Sequence, residues 1–172
     1  MAWILLVALA AFAAAVAAAA RRGLANLEGS REEAWAALET QLEKRHAHMI
    51  RIVGLCARLM KYERDALDRV TTSGSAVIAA ARRGNMPALA AADKTYRAAA
   101  ESLFRLAANY PQFGTNRAFR ALHERAMTLD GRVDERRETY NSVVSVLNVR
   151  CQAFPYNVVA RTMGMRPAAF LS

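Results

Sequence analysis

No polar side chain interrupts the stretch Ala2 to Ala20, which reads AWILLVALAAFAAAVAAAA. About 20 apolar residues at 1.5 Å rise span the roughly 30 Å hydrocarbon core of a bilayer, so the run predicts one membrane-spanning helix between Ala2 and Ala20. Leu5, Leu6, Val7, Leu9, Phe12 and Val16 supply most of its insertion energy. A cleavable signal peptide would carry a basic segment ahead of an apolar core of about 7–15 residues, and neither condition is met. An amphipathic helix lying in the interface would need a polar face, which this run lacks.

Beyond Leu24 the apolar residues change to a spacing of three or four, the mark of helices with one buried stripe. Trp35, Leu38, Leu42, Met49, Ile52, Cys56, Leu59, Ala66 and Val70 form the first stripe, with Arg45 and Glu63 as its charged members. On one helix these two lie about 27 Å apart, so each needs a partner elsewhere or must snorkel to water. Thr71 to Ser75 is the poorest helix-forming segment of this half, and Arg83-Gly84-Asn85-Met86-Pro87 is a stop. Gly84 suits a C-cap, Asn85 an N-cap, and Pro87 a first helical turn. The next stripe (Met86, Leu89, Tyr96, Ala100, Leu103, Ala107, Tyr110) also contains one charge, Asp93.

Tyr110 to Asn116, containing Pro111, forms a second turn. The longest uninterrupted helix is expected from about Arg117 to Ala153, burying Phe119, Leu122, Ala126, Leu129, Val133, Tyr140, Val143, Leu147 and Phe154 and ending at Pro155. The tail 156–172 is rich in Val, Met, Phe and Leu and is expected to fold back. The prediction is an all-α chain: an anchor at 1–22, an antiparallel bundle of three to four long helices at 23–155, and an apolar tail at 156–172 packing on that bundle. The four prolines lie only at 87, 111, 155 and 167, consistent with helix throughout.

Charge adds a topology. Arg21 and Arg22 close the apolar run while its other end carries only the α-amino group, so the positive-inside rule places the N-terminus outside and everything after Arg21 in the cytoplasm. The expected location is the bacterial inner membrane, crossed once. The net charge of +9 suits a domain held against anionic inner-leaflet lipids. Nucleic acid is not an expected partner, because the arginines are interleaved with acids, as in Glu135 to Glu138, in the manner of a solvated helix face. Two cysteines, Cys56 and Cys151, read as free thiols in a reducing compartment.

Candidate chemistry is sparse. His46 and His48 sit two apart and face different sides of a helix, so they make no metal pair. His123 reads as a surface residue, and no nucleophile elbow, phosphate loop or paired carboxylates at helical spacing occur. No cofactor, metal or catalytic residue is expected.

Several spaced motifs together resemble the LemA family of membrane-anchored helical proteins. They are the anchor; AW(x)5QLxKRH at Ala34 to His46, containing Trp35 and Arg45; YERxxLxxV at Tyr62 to Val70, containing Glu63; and YPxFxxNxxF at Tyr110 to Phe119, containing Pro111 and Asn116. RxxYNxxV at Arg137 to Val144 follows, containing Tyr140 and Asn141, then Asn148, then FPxNxxAxxxG at Phe154 to Gly164, containing Pro155 and Asn157. The resemblance implies a helical bundle behind one N-terminal membrane helix, with no catalytic residues to carry over. Met49-Ile50-Arg51-Ile52 stands where family members tend to have Ile-Pro-Asn-Leu, and Ala108 where they tend to have Glu.

Two functions follow as expectations: a non-enzymatic scaffold or adaptor presenting its bundle to partner proteins or to its own copies, or a lipid-binding, membrane-remodelling protein. Ala8, Phe12 and Ala15 share a face through which anchors could associate as a homo-oligomer. An antiparallel register about Phe113 sets Asp93 opposite Val133, and so predicts that Asp93 pairs with Arg137 or Arg136.

Overall fold

The computed structural model describes residues 1–60 and 62–171. These form helices and turns without a strand: α1 (Ala2–Leu59), α2 (Arg64–Arg82), α3 (Met86–Ala108), α4 (Pro111–Thr115), α5 (Arg117–Gln152) and α6 (Tyr156–Thr162). The longest helix is α1, with 58 residues against 36 in α5, which corrects the expectation for 117–153. Nothing between Ala20 and Leu59 breaks it, because isolated glycines at 23, 29 and 54 cost helix propensity without preventing the helix.

The stripe drawn from Leu24 to Val70 is not one helix. α1 stops at Leu59, Met60 is fully buried, and Tyr62 stands 95% exposed in the turn. Glu63 is therefore the residue before α2, half-buried and making no side-chain cap, rather than a member of a helical seam. No glycine or proline marks this turn, so the local sequence carries no signal for it.

The turn between α2 and α3 is the one its residues prescribe. Gly84 takes φ +61°, while its N–H and that of Asn85 return to Ala81 (2.8 Å) and Ala80 (3.3 Å). The Asn85 side chain then accepts the Ala88 N–H at 3.0 Å, with Pro87 in the first turn of α3. Thr71, Ser73 and Ser75 stay helical by donating their hydroxyls to carbonyls one turn back, at Leu67, Arg69 and Thr71.

The chain divides into two compact units. One comprises Ala36–Glu138 with Leu171. Within it the three-residue turn 83–85 folds α3 back antiparallel to α2, and Gly74 of α2 lies against the ring of Tyr96 of α3. Phe104 of α3 meets His123 of α5 at 4.4 Å and Arg97 meets Asp134, so these two helices are antiparallel as well. Phe113 of α4, buried, closes one end against Tyr110 and Phe119. Asn116 caps α5 through the Phe119 N–H at 3.1 Å.

The other unit comprises Met1–Trp35 and Thr139–Phe170. Here α1 and α5 pair antiparallel, Trp35 lying 5.4 Å from Tyr140 and Glu28 close enough to Cys151 that burial and its charge both raise the thiol, while Gly23 faces the ring of Tyr156 in α6. Ala20, Leu24, Tyr140, Val144 and Leu147 are buried, so Val144 rather than Val143 lies in the core. Asn148 holds the tail twice, donating to the Ala168 carbonyl at 3.0 Å and accepting its N–H at 2.9 Å. The Tyr140 hydroxyl donates to the Ala169 carbonyl at 3.2 Å. Phe154, expected in the core, is 83% exposed, because α5 ends at Gln152 and the chain turns outward before α6. Val158 and Phe170 are exposed too, while Ala160 and Leu171 are buried, so the segment is held by polar bonds together with burial of only a few of its apolar side chains.

Candidate functional site

Two features stand apart from ordinary helix packing: an apolar helix without cover and a charged cluster whose central pair, Arg45 and Asp93, is buried. The first is the start of α1. It contains a stretch long and apolar enough to cross a membrane, none of which is buried, with Trp3, Leu5, Leu6, Leu9 and Phe12 open to their surroundings. A soluble protein rarely leaves an apolar patch of this extent exposed. Cover begins at Ala20, one residue before Arg21 and Arg22, both exposed.

The second feature is built on α1, α3 and α5 within the unit 36–138. Arg45 points off the α1 stripe into the interior, buried to 3% exposure. Its guanidinium donates to Asp93 of α3 and, at 3.2 Å, to Asp130 of α5, and lies 4.4 Å over the ring of Tyr96. Arg97, one turn after Asp93, donates to the other Asp93 oxygen at 2.8 Å and to Asp134 at 2.7 Å, and Arg137 donates to the same Asp134 oxygen at 2.7 Å. Three arginines and three aspartates thus alternate across three helices. Burial alone would push the Asp93 carboxyl up, but Arg45 and Arg97 outweigh it and hold it below the usual carboxylate range.

The expected Asp93–Arg137 pair is therefore replaced. Asp93 pairs with Arg45 and Arg97, while Arg137 pairs with Asp134 on its own helix. The register behind that expectation holds, since Asp93, Val133 and Arg137 line one small cavity. What it omits is the third helix: α1 brings a fully buried cation closer to Asp93 than α5 does. Arg45 and Asp93 are legible as charges in apolar stripes. Arg97, Asp130 and Asp134 escape a reading by stripes, although the one-turn spacings of Asp93 to Arg97 and Asp130 to Asp134 are in plain view.

Beside the cluster, a groove of about 690 Å³ opens between α3 and α5, lined in part by Tyr96, Phe104, His123, Met127 and Gly131. The Tyr96 hydroxyl is buried without a hydrogen-bond partner among the described residues, and burial pushes its pKa up to about 12. His123, expected at the surface, is half-buried between Phe104 and Phe119. His46 meets Gly74, and His48 bonds the Leu122 carbonyl at 2.8 Å, so the two diverge. Among the described residues no group of His, Cys, Asp or Glu converges as a metal would require. Cys56 and Cys151 are both free, and burial pushes the Cys56 thiol up to about 11, away from reactivity.

The remaining motif residues have structural stations. Tyr110 precedes α4, Pro111 opens it, and Pro155 precedes α6. Trp35 and Tyr140 meet in a tilted ring contact, Asn141 is half-buried, and the Asn157 side-chain oxygen is buried without a partner among the described residues. No curated protein matches the chain. The model of the LemA family matches residues 34–172, a span that begins at the AW motif and takes in every helix after α1, and the chain belongs to the LemA family.

Proposed function

We propose that this protein is a membrane-tethered scaffold without enzymatic activity. In this reading residues 2–20 cross the cytoplasmic membrane once, Arg21 and Arg22 mark the cytoplasmic face, and the rest of the chain forms an antiparallel bundle that presents helix faces to partner proteins or to further copies of itself. The observation that carries it is α1: one helix whose apolar start is wholly uncovered continues unbroken into the folded part of the chain. A rigid helical connection of that kind holds a domain at a fixed place near the bilayer, where a flexible linker would let it wander. Mutual pairing of the buried charges supports a structural rather than a chemical role, because both oxygens of Asp93 are already engaged by arginines.

The test is extraction and topology together. The full chain should stay with membranes in alkaline carbonate, and removal of residues 2–20 should release it. A reporter active only outside the cytoplasm, fused after Ser172, should be silent. Release of the intact chain by carbonate would overturn the anchor, and an active reporter would reverse the orientation. For self-association through Ala8, Phe12 and Ala15, the mass of the detergent-solubilised chain at micromolar concentration decides, a strict monomer counting against it.

A further inference from the structure

The unit formed by Met1–Trp35 and Thr139–Phe170 is one-sided in charge. Residues 1–27 contain Arg21 and Arg22 and no acid, and residues 139–170 contain Arg150, Arg161 and Arg166 and no acid. Its acids begin only at Glu28, about 10 Å along α1 beyond Arg21. The corner between α5 and α6 sits at the basic end. The Tyr156 ring comes within 3.4 Å of where a side chain on Gly23 would start, two residues after Arg21. Arg150 is fixed there too, donating to the Tyr156 hydroxyl at 3.2 Å with its guanidinium over the ring. On this corner stand two large apolar side chains that the fold leaves open, Phe154 at 83% and Val158 at 55% exposure.

Exposed apolar groups on a corner whose charges are arginines, level with the point where an uncovered apolar helix becomes a covered one, match the chemistry of a bilayer interface. Aromatic and aliphatic side chains enter the headgroup layer while arginines pair with lipid phosphates. We propose that the α5–α6 corner is a membrane-surface seat, in which Phe154 and Val158 insert among the headgroups of an anionic leaflet beside the end of the anchor, and Arg21, Arg22, Arg150 and Arg161 contact lipid phosphate. This rests on the anchored reading of α1 and deepens it. The domain is then held at two points, and a helix held at two points cannot swivel freely about its own axis.

Nitroxide labels on single introduced cysteines in the full chain, reconstituted into phosphatidylcholine vesicles with or without phosphatidylglycerol, test it. Cys151→Ser removes the half-buried native thiol, and Cys56 is shielded by burial. Phe12→Cys reports the anchor, Val158→Cys the seat, and Glu33→Cys, exposed about 18 Å beyond Arg21 along α1, the aqueous control. The Phe12 probe should collide with oxygen and not with a polar nickel complex, and the Glu33 probe the reverse. The Val158 probe should lie between them and move toward the Phe12 values when phosphatidylglycerol is added. Arg161→Gln should weaken that seating about fivefold. A Phe12 probe at hydrocarbon depth with a Val158 probe as aqueous as the Glu33 probe overturns the seat and leaves the anchor standing. An aqueous Phe12 probe overturns both.

Discussion

Arg45 of α1 and Asp93 of α3, separated by 48 positions in the chain, meet in a buried ion pair that no pairwise register between adjacent helices would place. A buried pair contributes little net stability over apolar replacements, whereas removing one partner strands the other. Asp93→Ala should therefore cost about 3–5 kcal/mol, because it leaves Arg45 buried with Asp130, at 3.2 Å, as its one remaining carboxylate among the described residues, beside the Tyr96 ring. Arg137→Ala should cost under about 1 kcal/mol, since its partner Asp134 is partly exposed and keeps Arg97. Guanidinium unfolding of the detergent-solubilised chain, followed by helix ellipticity, compares the two. Equal losses would mean that the cluster does not discriminate between its buried and exposed halves.

The same cluster sets a pH dependence. The folded-state pKa of Asp93 is depressed below its unfolded value, so its contribution is present in full above the unfolded pKa and is lost as pH falls through the folded one. Stability should decline from about pH 4 downward, and Asp93→Asn should flatten that decline while lowering stability at neutral pH. Unfolding midpoints taken between neutral pH and pH 3 would show it. A variant whose acid slope equals that of the parent would assign the slope to other carboxylates.

The local parts of the fold are legible in the sequence because each rests on neighbours along the chain. Gly84, Asn85 and Pro87 specify their turn among themselves, and Asn116 caps the helix that begins beside it. The break after Leu59 is not legible, since its sequence is helix-compatible and carries neither glycine nor proline, although Met60 beyond it is buried. Arg45 and Asp93 can be named as charges needing partners, but the choice of partner depends on which third helix lies against the pair. Phe154 is misplaced by a reading of stripes because its apolar spacing continues that of α5 past the last residue that is helical.

Gly74 is a packing glycine in mid-helix. A Cβ there would come within 2.5 Å of His46 Nδ1, and the φ of the residue needs no glycine, so space alone constrains it. Gly74→Ala should cost about 1–3 kcal/mol despite the better helix propensity of alanine. Adding His46→Ala should recover much of that loss. Burial, assisted by Arg45, holds His46 below its ordinary pKa, so the parent should also lose stability as pH falls below about 6.5, and the double variant should lose less. Thermal unfolding at pH 7.5 and pH 5.5 reads both effects. Additive losses from the two substitutions would show that the contact is not what excludes a side chain at 74.

The C-terminal tail depends on one amide. Asn148 presents its carbonyl and amino groups together to the backbone of Ala168, a two-bond match that no apolar or singly functional side chain reproduces. Net, each such bond contributes about 1 kcal/mol, and leaving the Ala168 groups without partners costs somewhat more. Asn148→Ala should therefore detach the tail without unfolding the helices: the Ala168 amide should exchange at least tenfold faster, while amides of α3 keep their protection. Asn148→Asp separates geometry from charge, because it keeps the acceptor for the Ala168 N–H and loses the donor to the carbonyl, and should give an intermediate rate. Tyr140→Phe removes the neighbouring bond to Ala169 and should loosen the tail less than Asn148→Ala, since it breaks one bond to the tail and leaves the ring on Trp35. If Ala168 exchanges at the parent rate in Asn148→Ala, the tail is held by Leu171, which is buried at 5% exposure, and Leu171→Ala becomes the substitution that frees it.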